Sequence, residues 1–492
     1  MQKLKKIIIL GSGTSGLMAA LLAKKKFPEK VIEIISSEKI GILGVGEGTT
    51  EHWSYFCEIM GEPIEQSIIE ADATLKFGIC FKNWGVPDYY HSTSISLNSL
   101  TFGDYHAGYA RCIMNNLQFI HPALEKNLIP SDWCSLDESL PVSQFHFNTF
   151  KLNDYLVRLC QKYQILITDD KIKDITIAEN GEIKNLIGTK THTADFFIDA
   201  SGFSRILMTK LKAKWISYKK NLWTNSAIAF QTEDTDEYPC FTQSVGLDYG
   251  WMWNAPVQHR WGNGYVFCDE YIDFEQAQQE VEKKLEKNIS VAKKIKFEAG
   301  QLDKSWIKNC VSIGIATSFI EPLESSTISQ SFLQTILFLN LLPSWKVDPV
   351  NISELYNKKV EKICLDILDF VSVHYLVPKD SSKFWLDLKH NRKNWMTNSL
   401  NERLSVWKNR LPLVLDFSNE YTLFTADNWI QTLHGIGLIN YDLLELEFNE
   451  IPLVVIKEID KIIQQEKLNF PTISHKKGLD IFKKNWLKKY EI

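Results

Sequence analysis

Ile7-Ile8-Ile9-Leu10-Gly11-Ser12-Gly13-Thr14-Ser15-Gly16 is the stretch on which the fold turns. The apolar run from Lys6 to Leu10 reads as a buried strand. A helix follows over Gly16 to Lys26, and Val31 to Ile35 reads as a second strand bounded by Ser36-Ser37. In a G-x-G-x-x-G loop the glycines let the backbone approach a pyrophosphate, whose charge sits at the N-terminus of the next helix. The string alone is common. Strand, loop, helix and second strand within about 30 residues make it a dinucleotide fingerprint. Gly11, Gly13, Thr14, Ser15 and Gly16 are therefore the expected phosphate cradle. The acidic residue that normally ends the second strand and takes the ribose is absent, because the chain reads Ile34-Ile35-Ser36-Ser37-Glu38. Ser36 or Glu38 must substitute for it.

The surrounding 492 residues carry a net charge of −5, with lysines and acids intermixed, so no footprint for nucleic acid or an anionic membrane stands out. Hydrophobic residues make up 45%, enough for a sizeable core, and the 15 tryptophans are expected largely inside it. Met1 to Lys6 has the charge of a secretory leader, but the apolar run ends at Gly11 with no small-residue cleavage site. No window approaches the ~18 apolar residues of a membrane span. Nine cysteines (57, 80, 112, 134, 160, 240, 268, 310, 364) are scattered, odd in number and never in a CxxC pair. That argues against zinc or a disulfide framework, and for a reducing, cytoplasmic setting.

Further along, Leu75, Phe77, Ile79 and Phe81 alternate with Thr74, Lys76, Gly78 and Cys80, the period of one half-buried strand from Ala73 to Phe81. Lys76 then lies opposite Phe77, and Lys82 faces the same way as Lys76. Asn153 to Lys162 reads as a helix. Ile165 to Leu186 reads as two strands around the hairpin-type turn Glu179-Asn180-Gly181-Glu182, and Phe196 to Gly202 as a buried strand ending in a small-residue turn. After residue 340 the pattern is mainly helical. Gly44-Val45-Gly46-Glu47-Gly48-Thr49-Thr50 and Asp199-Ala200-Ser201-Gly202-Phe203 favour FAD over NAD.

Gly44 to Thr49, Gly250-Trp251-Met252-Trp253-Asn254-Ala255-Pro256 and Glu321-Pro322-Leu323-Glu324-Ser325-Ser326 together resemble the flavin-dependent halogenases of the tryptophan halogenase family. Ala255 stands where that family's WxWxIP hallmark has isoleucine. The likeness runs on through Arg260, Gly262, Gly264 to Phe267, Phe145 to Asn148, Asp369-Phe370, His374-Tyr375, Phe384-Trp385, Asn428-Trp429, Gly435 and Gly437. It covers nearly the whole chain.

The resemblance implies a chemistry. Reduced flavin and O2 give a C4a-hydroperoxide, halide attacks it to give hypohalous acid, and the oxidant travels through a tunnel to an essential lysine. Lys76 matches that lysine: an ammonium can make the acid more electrophilic by hydrogen bonding, and a neutral amine could instead form a haloamine. The plain alternative is a solvent-facing strand lysine. Glu324 matches the active-site glutamate, which can stabilise the arenium cation or accept its proton; otherwise it serves at the N-terminus of a helix over Thr327 to Leu341. Ser325, Ser326 and Thr327 match the halide-binding turn, although the family order Glu-Ser-Thr is here Glu-Ser-Ser-Thr, which leaves open which amides hold the halide. Trp251, Trp253 and Pro256 would wall the flavin from the organic substrate, a role compatible with ordinary core packing. Cofactor contacts are also implied for Gly46, Glu47, Thr49, Asp199, Gly202 and Ile328. His146, His259 and His374 lack metal-ligand spacing and read as structural, and no metal is expected.

The expected protein is an α/β flavoprotein of the monooxygenase-like Rossmann type with a mixed sheet. An FAD module spans 1–340, with substrate-facing segments interleaved at about 61–142 and 206–294, and a helical part over 341–492 covers the substrate. With a single dinucleotide fingerprint, FADH2 is expected from a separate NAD(P)H-dependent flavin reductase. The substrate is a small aromatic of indole or phenol type, with Tyr89, Tyr90, Phe102 and Trp429 as nearby aromatics; a homodimer is among the open arrangements. Two rivals are a flavin monooxygenase that hydroxylates its substrate and a flavin-binding protein without catalysis.

Overall fold

The computed structural model describes residues 4–42, 47–92, 100–417, 421–466 and 471–490. It is a mixed α/β fold whose chain is divided between two compact units, each assembled from three segments. The first takes Met1–Asp72, Phe147–Lys219 and Glu298–Leu365, and the second takes Ala73–His146, Lys220–Phe297 and Asp366–Ile492.

The first unit is built on a six-stranded sheet. Lys6–Leu10 lies in its interior, parallel to Val31–Ser36 on one side and to Phe196–Asp199 on the other. Ile7, Ile8 and Ile9 are wholly buried, as an interior strand covered on both faces requires. The helix begins at Thr14, two residues earlier than the apolar pattern suggests, because Gly13 is its N-cap. All eight residues from Gly16 to Ala23 are buried. The helix packs against Thr149–Lys162, His52–Met60 and Ser326–Trp345, which leaves it no broad solvent face. Residues 165 to 186 hold three strands rather than the two expected. Leu166–Asp169 joins the parallel sheet beside Val31–Ser36, and the Asn-Gly turn closes a separate hairpin of Asp174–Ile177 and Ile183–Ile187. Periodicity alone did not separate the parallel strand from the hairpin that follows it.

The second unit holds a seven-stranded sheet. It is antiparallel except where Thr242–Leu247 runs parallel to Gly78–Lys82. One face buries Ile228, Phe230, Val245, Met252, Tyr265 and Phe267 together with Ala277 and Val281 of the helix Phe274–Leu285. From 366 onward the unit is mainly helical, with a short strand Thr472–Ser474 paired to Leu128–Pro130. Among the described residues no helix is long and apolar enough to cross a membrane.

The single half-buried strand expected over 73–81 is not formed. Thr74–Leu75 pairs with Phe145 and His146, and a separate strand, Gly78–Lys82, pairs with 242–245 and 89–92. Gly78 makes the break, with φ +133 and His91 O only 2.1 Å from where a Cβ would stand. Lys76 therefore sits at the junction between two ladders and is 2% exposed, so the solvent-facing reading fails. Lys82, across the break, is only half-buried.

Candidate active site

The first unit carries the glycine loop expected to cradle a nucleotide. A Cβ on Gly11 would meet Ala200 O at 2.3 Å and one on Gly16 would meet Gly11 O at 2.1 Å, so strand, loop and helix close together only with glycine at both places. Around Gly13 nothing lies within 4 Å of a Cβ, and the helix N-terminus behind it has neither a side-chain cap nor an acid in its first turn. Open space before uncapped amides suits a pyrophosphate. Ser15 hydrogen-bonds Ser331 at 2.8 Å, and Asn153 Nδ2 donates to Ser12 O at 2.8 Å, fixing the loop from two helices. Thr49 is fully buried, and Ile328 lies 3% exposed in the helix Ser326–Trp345. Gly46 lies outside the described residues, as does the side chain of Glu47.

Asp199 ends the strand beside Lys6–Leu10 with no exposure. Its Oδ1 accepts from Ser201 N and Oγ, and its Oδ2 from Leu207 N and Met208 N at 2.8 and 2.9 Å. Burial pushes this carboxyl up while those bonds pull it down. The carboxylate is thus taken up by its own turn, and it shapes the loop at Gly202 rather than presenting a free group.

Glu324 is 2% exposed and closes the short turn Pro322–Glu324. Ser325, not Glu324, is the N-cap of the following helix, in the left-handed region at φ +53 and without a side-chain cap bond. Ser325 N–H donates to Pro322 O at 3.0 Å and is spent on the turn. The amides of Ser326 and Thr327 open the helix, in the first-turn positions that have no intrahelical acceptor.

The second unit carries the lysine segment, and its backbone is held at almost every residue. Ala73 O accepts from Gln258 Nε2 at 2.7 Å, Leu75 N donates to His475 Nε2 at 3.1 Å, Lys76 N to Gln144 O at 3.0 Å and Phe77 N to Cys240 O at 2.7 Å. Beside them runs a neutral chain. Thr74 Oγ1 donates to Pro256 O at 2.6 Å, so it must accept from His146 Nδ1 at 3.0 Å, which leaves His146 Nε2 to accept from the Thr242 hydroxyl at 2.8 Å. Burial, with Lys76 and His475 nearby, holds His146 well below the usual imidazole range. Burial also pushes His475 down to about 4, and its accepting Nε2 agrees with a neutral ring.

Pro256 ties this segment to the strand Gly250–Val257, which carries Trp251 and Trp253 at 1% and 8% exposure, their ring centroids 6.3 Å apart. Gly264, the cross-strand partner of Trp253, makes room for that indole: a Cβ there would meet its Cη2 at 2.0 Å. Of the expected substrate-side aromatics, Trp429 is wholly buried, packed on Phe370 and Trp407, and Phe102 is exposed. Tyr89 and Tyr90, with Phe119, His434 and Tyr441, line a cavity of about 310 Å³.

Sequence reasoning missed Gln144, Cys240, Thr242 and His475. None carries a local signal, since each reaches the lysine segment from a distant part of the chain. Among the described residues no group of three or more His, Cys, Asp or Glu could hold a metal ion.

The tryptophan halogenase family matches residues 6–447. The tryptophan 7-halogenase RebH of Lentzea aerocolonigenes is 26% identical over 485 residues, covering 89% of this chain and 90% of that protein. Among solved structures, a tryptophan halogenase of Shewanella frigidimarina superposes with a TM-score of 0.84 at 23% identity, covering 98% of both chains. BrvH, a flavin-dependent halogenase from Brevundimonas sp. BAL3, gives 0.79 at 21% identity over 98% of this chain and 99% of its own. These two likenesses bear on the fold alone.

Proposed function

The chain belongs to the tryptophan halogenase family and is a flavin-dependent halogenase, and from that premise we propose that it transfers halogen from hypohalous acid to an electron-rich aromatic ring, with Lys76 presenting the acid. The observation that carries this reading is the placement of Lys76: a buried lysine on a backbone held by hydrogen bonds from Leu75, Lys76 and Phe77, beside neutral imidazoles. A solvent lysine needs none of that support.

Bound FADH2 supplies, with O2, the two-electron oxidant that converts halide to hypohalous acid. The chain does the rest. Gly11, Gly13, Thr14, Ser15 and Gly16 hold the pyrophosphate, and Thr49, Ile328 and the turn that Asp199 shapes at Gly202 complete the flavin's surroundings. The amides of Ser326 and Thr327 hold the halide, because the Ser325 amide is already bonded to Pro322 O. Trp251, Trp253 and Pro256 match the family motif that separates the flavin from the ring to be halogenated, so that halide rather than substrate is oxidised. Lys76 Nζ donates a hydrogen bond to the oxygen of HOX. The halogen bonds to the ring carbon, the O–X bond breaks, and the oxygen leaves as water with a proton from the ammonium. A carboxylate then has to accept the ring proton to restore aromaticity, and Glu324 is the family match for that role.

Since the relatives' names specify tryptophan, an indole is the first substrate to test and a phenol the second. With one dinucleotide fingerprint in the chain, a separate NAD(P)H-dependent flavin reductase provides FADH2. The described cysteines are all buried free thiols, which supports a reducing, cytoplasmic setting.

The test supplies FAD, a flavin reductase, NADH, O2 and each halide in turn to a panel of indoles and phenols, with products read by mass spectrometry. Halogen isotope patterns that depend on the halide are expected. Hydroxylated product formed without halide would replace this reading with that of a monooxygenase.

A further inference from the structure

In dinucleotide folds the second strand ends in a carboxylate that accepts a hydroxyl of the adenosine ribose. Here that strand ends in Ser36, whose single hydroxyl is a poorer match for a diol. The structure offers a carboxylate next to it. The adjacent parallel strand Leu166–Asp169 ends in Asp169, and Asp169 is the register partner of Ser36. Such partners lie about 4.8 Å apart with side chains on the same face of the sheet.

The direction of the Asp169 side chain is given by its hydrogen bond. Its Oδ1 accepts Glu38 N–H at 3.0 Å, which lays the carboxylate across the end of the second strand instead of away from it. The residue is exposed, and its Oδ2 has no partner among the described residues. The strand end is also fixed. Asp170 N donates to Ser36 O at 2.8 Å, and the buried Asp170 carboxylate accepts from Thr189 N, Lys190 N and His192 Nε2. Successive strand residues face opposite ways, so anchoring Asp170 inward sets Asp169 outward, where Ser36 points. Glu38 is the other acid at hand, but it stands two residues beyond the strand and meets Asp169 through its backbone.

We propose that Asp169 supplies the ribose-binding carboxylate of this chain's FAD site, replacing from the neighbouring strand the acid that Ser36 lacks. The proposal rests on the flavin reading of the glycine loop. A ribose hydroxyl then meets a carboxylate, a stronger acceptor than the serine hydroxyl.

The experiment titrates the apoprotein with FAD and with FMN, which lacks the adenosine, and follows binding by calorimetry. Asp169→Asn should weaken FAD at least about tenfold while leaving FMN binding and the melting temperature unchanged. Adding Ser36→Glu to Asp169→Asn should restore FAD, and Glu38→Gln should bind as wild type. Unaltered FAD affinity in Asp169→Asn, or an equal loss for FAD and FMN, would overturn the proposal. A wild-type protein that binds neither flavin would overturn the flavin reading beneath it.

Discussion

His475 Nε2 accepts the backbone N–H of Leu75 at 3.1 Å, one residue before Lys76 and 400 positions away in the chain. An imidazole from the last helix thus sets the backbone on which the lysine stands. Replacing His475 with Phe leaves that buried N–H without an acceptor, at a cost of about 1–3 kcal/mol, and frees the lysine segment to shift. Thermal denaturation should show the loss. Halogenation should fall further than FAD binding, since the loop Gly11 to Gly16 lies in the other unit. His475→Gln, which keeps an acceptor, should recover most of the turnover; no recovery would mean that the ring packs rather than positions.

The same imidazoles set an acid limit. His146 and His475 are wholly buried and neutral, His146 well below the ordinary range and His475 at about 4 against 6.5. Below pH 6.5 the unfolded chain takes up protons that the folded chain refuses, so stability is full above that pH and declines as pH falls towards 4. At about 1.4 kcal/mol per unit, His475 alone accounts for about 3 kcal/mol across that window. Melting temperatures measured between pH 7 and pH 4.5 should fall, and the fall should be shallower in His475→Gln.

Trp253 lies on Gly264 across the strand pair, with 2.0 Å between the indole and the position of a Cβ. A rigid ring cannot yield as a flexible side chain would. Gly264→Ala should destabilise the protein by about 1–3 kcal/mol and change the near-ultraviolet circular dichroism of the tryptophans. A melting curve identical to wild type would show that the ring can move aside.

Local sequence carried the cradle and tertiary contact carried the lysine's surroundings. The strand, loop, helix and strand from Lys6 to Ile35 were legible because each element has its own period and the glycines fall between them. The family motifs pointed to Lys76 and Glu324. The alternation through 73–81 misled, since a regular period persists across a break made by one glycine at φ +133. Burial of Lys76 could not be read from that period. The partners at 144, 240, 242 and 475 are joined to it only by folding, and Asp169 meets Ser36 only through a parallel register that no local pattern encodes. At Asp199 and Ser325 the motifs mark the residues, but only geometry shows the carboxylate committed to its own turn and the Ser325 amide to Pro322.

If Lys76 delivers the halogen and does not generate the oxidant, removing its ammonium must separate the two. Lys76→Met removes the ammonium at nearly constant volume, and the measurement compares two yields in one reaction with FADH2, O2 and bromide: brominated indole by mass spectrometry, and free hypobromous acid captured by a soluble trap. Brominated indole should fall at least about a hundredfold, the rate equivalent of roughly 3 kcal/mol in the barrier, with trapped acid undiminished. Bromination of the indole at the wild-type rate in Lys76→Met would contradict delivery by Lys76.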